Sequence, residues 1–256
     1  MPETACALSA GGSRKTMIKK VLVIIPAFNE EASIEKTIGE VRASYPGADI
    51  VVVDDGSTDR TAQGALKSGV HLLPLPFNLG IGGAVQTGFK FAAAHGYDIA
   101  VQVDGDGQHD AAFISRLVQP VIDGHADMAI GSRFLPPHLG YQSSFVRRVG
   151  IQFFSLLLSF LTEYRITDPT SGFRAYNRKM IKIFSGYYPV DFPEPEAIMV
   201  AGRYNAKIRE VAVEMRKRAS GHSSIRYLKT LYYMIKVTLA ILLQKLHRKI
   251  KDEVRA

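Results

Sequence analysis

Residues 99–108 have the sequence IAVQVDGDGQ, in which an apolar run ends at Asp104 and Asp106. The run is short and rich in β-branched residues, which predicts a buried strand over Ile99–Val103. The two glycines allow a tight turn after it, so both carboxylates can point outward from the strand end. Together with the side-chain carbonyl of Gln108, they form an oxygen ligand set suited to Mg²⁺ or Mn²⁺, completed by substrate phosphates and water. The alternative is an ordinary exposed Asp-Gly turn.

Similar apolar runs alternate with helical patterns along the chain. The predicted strands are Val21–Ile25, Ile50–Val53, His71–Leu75, Ile99–Val103, Met128–Ile130 and Ile208–Met215. The predicted helices are Glu30–Tyr45, Thr58–Ser68, Asn78–His95, Ala112–Val121, Phe145–Leu161 and Tyr227–Lys251. This alternation predicts an α/β fold with a mostly parallel sheet, helices on both faces and ligands at the carboxyl ends of the strands. Residues 1–18 are predicted to be a flexible tail, 19–225 the α/β domain, and 226–256 a basic amphipathic helix.

Polar residues also follow the first two predicted strands, where contacts with a nucleotide are expected. Asp54 and Asp55 end the second strand and could bind a ribose, a uracil edge or the same metal. Asp55 could instead cap the following helix. Pro26, Asn29 and Glu30 close the first strand, and Glu30 could contact a nucleoside or form the acidic first turn of a helix.

A glycine cluster opens the third predicted helix. Its sequence, Asn-Leu-Gly-Ile-Gly-Gly over residues 78–83, resembles a dinucleotide-binding turn, but Val85 stands where the third glycine of that motif belongs. A Rossmann dehydrogenase is therefore disfavoured. Gly80 and Gly83 would still let the N-terminus of this helix approach a diphosphate.

The net charge of +8 is unevenly distributed. Residues 203–256 hold 14 Lys and Arg but 4 Asp and Glu, whereas residues 1–202 hold 18 and 20. Opposite an acidic metal site, a basic set suits capture of a phosphorylated acceptor, although each member could be an ordinary surface residue. The set comprises Arg133, Arg147, Arg148, Arg174 and residues 216–218. A nucleic-acid partner is disfavoured because no known recognition module is present and the acidic strand ends would repel a phosphate backbone.

Few features of the sequence bear on location. The single cysteine, Cys6, forms no internal disulfide and suits a reducing compartment. No convincing signal peptide is present, and no uncharged run reaches the roughly 18–20 residues that span a bilayer. His109 and His222 lack partners at ligand spacing and are predicted not to bind metal. A cytoplasmic location is expected.

Six motifs in order give the chain its resemblance to a known family. They are Ile25–Glu30 (IPAFNE), Val53–Asp59 (VDDGSTD), Asn78–Gly83 (NLGIGG), Asp104–Gln108 (DGDGQ), Gly131–Arg133 (GSR) and Thr167–Arg174 (TDPTSGFR). Over about Lys20–Leu243 the chain resembles the inverting glycosyltransferases of family two, which use the GT-A fold. Within that family it looks most like the branch that acts on polyprenyl phosphates.

The resemblance implies roles for several of these residues. Asp104, Asp106 and Gln108 would hold the divalent cation and, with the strand-end residues, the nucleotide-sugar donor. Residues 216–224 resemble a late loop that closes over the donor phosphates, with Arg218 as a contact. Lipid-phosphate contacts are implied for Arg133, for one of Arg147 and Arg148, and for Ser171 and Arg174.

The segment Asp191–Glu196 (DFPEPE) lies where related enzymes place an acidic catalytic residue. A phosphate acceptor is already ionised near neutral pH, whereas a sugar hydroxyl needs a base. Glu194 or Glu196 acting as a base would therefore indicate a sugar-hydroxyl acceptor in polysaccharide or glycoconjugate synthesis. Either residue could instead contact the donor sugar or shape the start of a helix.

The predicted C-terminal helix carries an apolar stripe with lysines beside it. Its spacing suits a helix lying in a membrane interface, on the cytoplasmic face, where it would bring the site to a lipid phosphate. A small membrane protein could act as a partner there. The alternative is a helix that packs in the core or forms an oligomer.

Overall fold

The computed structural model describes residues 19–136, 145–216 and 227–246, apart from the side chains of 145–147, 227–233 and 245–246. The predicted N-terminal tail and residues 247–256 lie outside this description. The strands are β1 (Val21–Ala27), β2 (Ala48–Asp54), β3 (His71–Pro74), β4 (Ile99–Gln102), β5 (Met128–Ser132), β6 (Arg174–Asn177) and β7 (Ile208–Ala212). These strands form one sheet with the order β3-β2-β1-β4-β6-β5-β7.

Helices connect the strands and cover both faces of the sheet. They are α1 (Ile34–Ser44), α2 (Thr61–Lys67), α3 (Gly80–Ala94), α4 (Ile114–Ile122), α5 (Phe145–Thr162), α6 (Arg178–Gly186), α7 (Pro193–Arg203) and α8 (Tyr227–Leu246). A single 3-10 turn, Ala111–Phe113, precedes α4. The predicted α/β architecture is confirmed.

The core consists of two apolar clusters, one on each face of the sheet. Successive side chains of a strand point to opposite faces, and β1 shows this directly. Leu22 and Ile24 belong to the cluster covered by α3 and α5 to α8. Val21, Val23 and Ile25 belong to the cluster covered by α1, α2 and α4. The continuous apolar run of β1 is therefore explained by burial on both faces.

The sheet contains one strand that the sequence pattern does not predict. β6 lies between β4 and β5 and is antiparallel to both. It has four residues and begins with the buried Arg174, so it carries no apolar run by which to recognise it. α6 and α7 are likewise absent from the predicted elements, although the prolines at 193 and 195 are compatible with a helix start.

Candidate active site

The carboxyl ends of β2, β1 and β4 meet at one edge of the sheet. These strands are neighbours and run parallel, so the loops after them leave on the same side. A cleft of about 560 Å³ opens there. Six residues predicted to bind donor or metal line it, namely Pro26, Glu30, Asp55, Gly80, Asp104 and Asp106.

The loop after β4 presents two carboxylates to this cleft. Asp106 is nearly buried, and its Oδ1 accepts the backbone N–H of Gln108 at 3.0 Å. Gly105 lies so close to β1 that a Cβ there would stand 3.1 Å from the carbonyl oxygen of Pro26. Asp104 keeps 34% of its side chain exposed. The loop is therefore held from both sides while its carboxylates remain at the cleft wall.

His109 supports Asp104 from behind. The ring is 4% exposed and stacks on Phe173 at a centroid distance of 4.9 Å. Its Nδ1 accepts the backbone N–H of Asp104 at 3.0 Å, and its Nε2 lies 3.5 Å from Asp104 Oδ2. Because Nδ1 accepts, the neutral ring carries its proton on Nε2, facing the carboxylate. Sequence spacing does not reveal this role, because one of the two partner atoms is a backbone N–H.

Asp104 and Asp106 fit a divalent cation that is shared with substrate phosphates. The described residues include no group of three or more His, Cys, Asp and Glu side chains placed to hold a metal. Two carboxylates, with the other positions left to phosphate and water, match the usual ligation of Mg²⁺. The side chain of Gln108 is partly exposed beside them and stays a predicted third ligand.

Asp55 joins the end of β2 to the loop before α3. Its Oδ1 accepts the backbone N–H of Leu79 at 2.7 Å. Burial raises the pKa of Asp55, while backbone hydrogen bonds from Leu79 and Gly80 oppose the rise. The helix-capping alternative is wrong, because α2 begins at Thr61, whose N–H is accepted by Asp59.

Two other predicted nucleotide contacts are turn residues in this structure. Asp54 is nearly buried and its Oδ1 accepts the N–H of Ser57 at 3.2 Å. Asn29 Oδ1 accepts the N–H of Thr58 at 2.9 Å. Neither side chain is among those lining the cleft. Their hydrogen bonds join the loops after β1 and β2 and so shape the cleft indirectly.

The glycines of residues 80–83 have separate roles. Gly80 lines the cleft with φ +79°. A Cβ on Gly82 would stand 2.3 Å from the carbonyl oxygen of Pro189, so this glycine lets the segment before α7 pack on α3. A Cβ on Gly83 would stand 2.5 Å from the Cβ of Leu79. Gly83 therefore serves local packing, and its predicted contact with the donor is not supported by the geometry.

Arg133, predicted to bind the acceptor phosphate, forms a buried ion pair. Its Nε lies 2.6 Å from Asp168 Oδ2 and its Nη2 2.7 Å from Asp168 Oδ1, a bidentate arrangement. The same Nη2 donates to Thr170 Oγ1 at 2.8 Å. Glu210 of β7 in turn accepts the backbone N–H of Asp168 at 2.8 Å. A phosphate at Arg133 would have to share the guanidinium with Asp168.

Ser171 and Arg174, predicted to contact the acceptor phosphate, are buried in this structure. Arg174 is fully buried, with Nε donating to the carbonyl oxygen of Ser171 at 2.7 Å. Ser171 is also buried, and its Oγ accepts the N–H of Phe173 at 3.3 Å. Arg148 is exposed on α5, whereas the side chain of Arg147 and the whole of Arg218 lie outside the described residues.

Glu194 lies in the first turn of α7 and is partly exposed. Its carboxylate interacts electrostatically with Arg174 and with Asp104 of the cleft. Burial raises its pKa, the positive charge of Arg174 opposes the rise, and the negative charge of Asp104 adds to it. An ionisable group whose pKa is shifted by burial and by a nearby cleft carboxylate is a candidate for a functional role.

Glu196 is not among the residues that line the cleft, and its predicted catalytic role stays a prediction. Residues two apart on a helix point in widely different directions. Glu196 is buried toward α8, where burial raises its pKa and a hydrogen bond from Gln244 opposes the rise. The sequence alone could not separate Glu194 from Glu196, because the start and orientation of α7 were not predicted.

Arg216 anchors the end of a described segment beside the acidic loop. Its backbone N–H donates to the carbonyl oxygen of Gln108 at 2.8 Å. Its side chain pairs with Glu40 at 2.6 Å and Asp110 at 3.0 Å. Residues 217–226, which include the rest of the predicted late loop, lie outside the described residues.

Comparison with protein families gives one model match over most of the sheet. The model described as Glycosyl transferase family 2 matches residues 22–184. The UDP-N-acetylglucosamine–dolichyl-phosphate N-acetylglucosaminyltransferase of Methanococcus voltae is 30% identical over 215 residues, covering 77% of this chain and 85% of that protein. The undecaprenyl-phosphate mannosyltransferase of Micrococcus luteus is 32% identical over 219 residues, covering 80% of this chain and 87% of that protein.

A solved structure shares the fold. It is glucosyl-3-phosphoglycerate synthase from Mycobacterium tuberculosis, crystallised with Mn²⁺, uridine diphosphate and glucosyl-3-phosphoglycerate. The TM-score is 0.68 at 23% identity, over 89% of this chain and 80% of that chain. The GT-A fold that the sequence motifs imply is thereby confirmed.

Proposed function

The chain belongs to glycosyl transferase family 2, and we propose that it transfers a sugar from a nucleotide sugar to a polyprenyl phosphate, inverting the anomeric carbon. The observation that carries this proposal is the single cleft in which Asp104, Asp106, Asp55 and Glu30 converge. The names of the relatives from Methanococcus voltae and Micrococcus luteus support a polyprenyl-phosphate acceptor. The donor nucleotide, GDP or UDP, is left to experiment.

The proposed reaction is a single in-line displacement. An oxygen of the acceptor phosphate forms a bond to the anomeric carbon, while the bond from that carbon to the donor diphosphate breaks and its electron pair leaves with the nucleoside diphosphate. A divalent cation, Mg²⁺ or Mn²⁺, held by Asp104 and Asp106 would supply positive charge to the departing diphosphate. Asp55 and Glu30 would position the nucleoside side of the donor in the cleft.

Glu194 is proposed to contact the donor sugar. A phosphate acceptor needs no general base, and a second negative charge near its attacking oxygen would oppose its approach. A carboxylate that accepts a hydrogen bond from a hydroxyl of the donor sugar avoids both difficulties and orients the anomeric carbon. Arg133, with Arg147 or Arg148, is proposed to receive the acceptor phosphate, which would compete with Asp168 for the Arg133 guanidinium.

Product analysis tests the proposed acceptor. The purified protein is incubated with Mn²⁺ or Mg²⁺, a polyprenyl phosphate and each of a panel of GDP- and UDP-linked mannose, glucose and N-acetylglucosamine. We expect one donor to yield a lipid-linked sugar phosphate that mild acid cleaves. An acid-stable glycosidic product formed on a sugar hydroxyl, with none formed on the lipid phosphate, would overturn the proposal.

A membrane surface is the proposed setting, on the cytoplasmic face, where a small membrane partner could also bind. Among the described residues, none of the helices combines the length and the apolar composition of a membrane span. Two helices instead expose apolar stripes whose members are three or four residues apart, as on one face of a helix. The exposed residues are Val149, Phe153, Leu156 and Phe160 on α5, and Ile235, Leu239 and Leu242 on α8. Such stripes suit an interfacial position rather than a span.

Charge placed on this stripe is expected to weaken membrane binding. Phe160 is 84% exposed, and Phe160→Glu should lower the fraction that floats with phosphatidylcholine–phosphatidylglycerol vesicles about tenfold, because burying a Phe side chain is worth about 1.5–3 kcal/mol. Leu66→Glu on α2, at a position 63% exposed, is the matched control. Equal flotation of the two variants and the parent protein would contradict a role for α5. Point substitution is preferable to deleting α8, whose Val237 and Ile241 are buried in the core.

A further inference from the structure

Gln244 on α8 is a nearly buried polar side chain, 9% exposed, with a partner for each of its polar groups. Its Oε1 accepts from Arg203 Nη1 at 2.6 Å, and its Nε2 donates to the hydroxyl of Tyr187 at 2.6 Å. Gln244 also lies near Glu196, where its amide opposes the rise that burial causes in the pKa of the Glu196 carboxyl. The orientation of the amide follows from Arg203, which can only donate and therefore faces Oε1.

The residues of α7 that lie near Gln244 come from both ends of that helix. Glu196 is in the first turn of that helix and Arg203 is its last residue. Seven residues make about two turns, so both side chains lie on one face and converge on the same carboxamide. Tyr187 belongs to the segment that enters α7. One side chain of α8 thus bonds to the segment that enters α7 and to the last residue of α7, and lies beside its first turn.

α7 has weak means of fixing its own beginning. Phe192, at its N-cap position, makes no side-chain hydrogen bond, and residues 193 and 195 are prolines that donate none. The helix has 11 residues, a length that does not stabilise an isolated helix. Its position must therefore come from tertiary contacts, of which the bonds to Gln244 are buried and directional.

The face of α7 that Gln244 holds is not the face that carries Glu194. Glu194 precedes Glu196 by two residues, so the two carboxylates diverge. That of Glu194 interacts with Asp104 of the cleft, and that of Glu196 interacts with Gln244 of α8. A rotation or shift of α7 would move Glu194 directly. Resting on the proposed role of Glu194, we propose that Gln244 is a positioning residue, which holds α7 so that the Glu194 carboxylate meets the donor sugar.

α8 therefore connects the proposed membrane side of the enzyme to the helix that carries Glu194. α8 turns Leu239 and Leu242 outward, on the proposed membrane side, and Val237, Ile241 and Gln244 inward. The buried side chains follow the spacing of four and three residues expected of one helix face. The helix proposed to lie on the membrane is thus the one that supports the sugar-contacting carboxylate.

A double-mutant cycle tests the positioning role. Gln244→Leu should lower kcat/KM for the nucleotide sugar about tenfold and leave the affinity for the free nucleoside diphosphate within twofold. Introduced into Glu194→Gln, the same change should cost less than twofold, because the group through which Gln244 acts is gone. Thr238→Val, which removes a hydrogen bond from Thr238 Oγ1 to Met234 O within α8, is the control and should behave like the parent.

The outcomes separate this inference from the proposed function. Full additivity of Gln244→Leu and Glu194→Gln, or unchanged kcat/KM in Gln244→Leu, would overturn the positioning role. If Glu194→Gln alone leaves kcat/KM unchanged, the proposed contact of Glu194 with the donor sugar is overturned, and the positioning role that rests on it is overturned with it. Should Gln244→Leu not fold, Tyr187→Phe removes one bond of the same carboxamide at a half-exposed position, and a two- to threefold loss with the same non-additivity is expected.

Discussion

Asp106→Asn is expected to reduce turnover about 10³-fold while the protein stays folded. Asparagine retains an Oδ1 that can accept the Gln108 N–H, so the turn after β4 is preserved. The substitution removes one of two carboxylate charges proposed to hold the cation, and losing one electrostatic partner of a departing group typically costs 10²–10³ in rate. Initial rates of transfer over a range of Mn²⁺ and Mg²⁺ concentrations give the measurement.

A binding measurement accompanies the kinetics of Asp106→Asn. Nucleoside diphosphate with Mn²⁺ should raise the melting temperature of the parent protein, and the variant should lose most of that shift. Asp98→Asn is the matched control, because Asp98 precedes β4 at the opposite end of the strand and pairs with Arg178. Near-normal metal-dependent transfer by Asp106→Asn would show that the metal site lies elsewhere.

The parts of the site that sequence predicts are those encoded locally. Val21–Ile25 is apolar, and Ile99–Val103 is apolar apart from Gln102, because their strands are buried on both faces. Each strand and the polar group that ends it can therefore be recognised. The parallel topology then brings those ends together, which is why Asp104, Asp55 and Glu30 share a cleft as expected. No side-chain contact needs to be known for this inference.

The parts that sequence misses depend on contacts between distant segments. Arg133 matches a family motif, yet its guanidinium is held by Asp168, and this pairing exists only because the loop before β6 packs against the end of β5. His109 supports Asp104 by accepting its backbone N–H, and a contact with a backbone group leaves no pattern in the sequence. Ser171 and Arg174 are polar in sequence but buried in the structure.

Glu194→Gln is expected to lower kcat/KM for the nucleotide sugar about 10²-fold. A hydrogen bond to a charged group is worth about 1.5–3 kcal/mol, and 1.4 kcal/mol corresponds to a factor of ten. Affinity for the free nucleoside diphosphate should be unchanged, because the carboxylate is proposed to contact the sugar alone. If Glu194 were instead a base for a sugar hydroxyl, the acidic limb of the parent's pH–rate profile would disappear in the variant, and a hydroxyl acceptor would be required.

Stability measurements separate this functional role from a structural one. Burial raises the pKa of Glu194 above its ordinary value, so the folded protein binds more protons than the unfolded chain between the two pKa values. Its contribution to stability is therefore present below the unfolded pKa of about 4.3 and lost as the pH rises through the folded pKa. At neutral pH, Glu194→Gln should unfold in urea no earlier than the parent protein, and any advantage should vanish as the pH falls toward 4. A variant that loses both activity and stability at neutral pH would indicate that Glu194 holds the fold, because removing a charge that burial disfavours should not destabilise the protein.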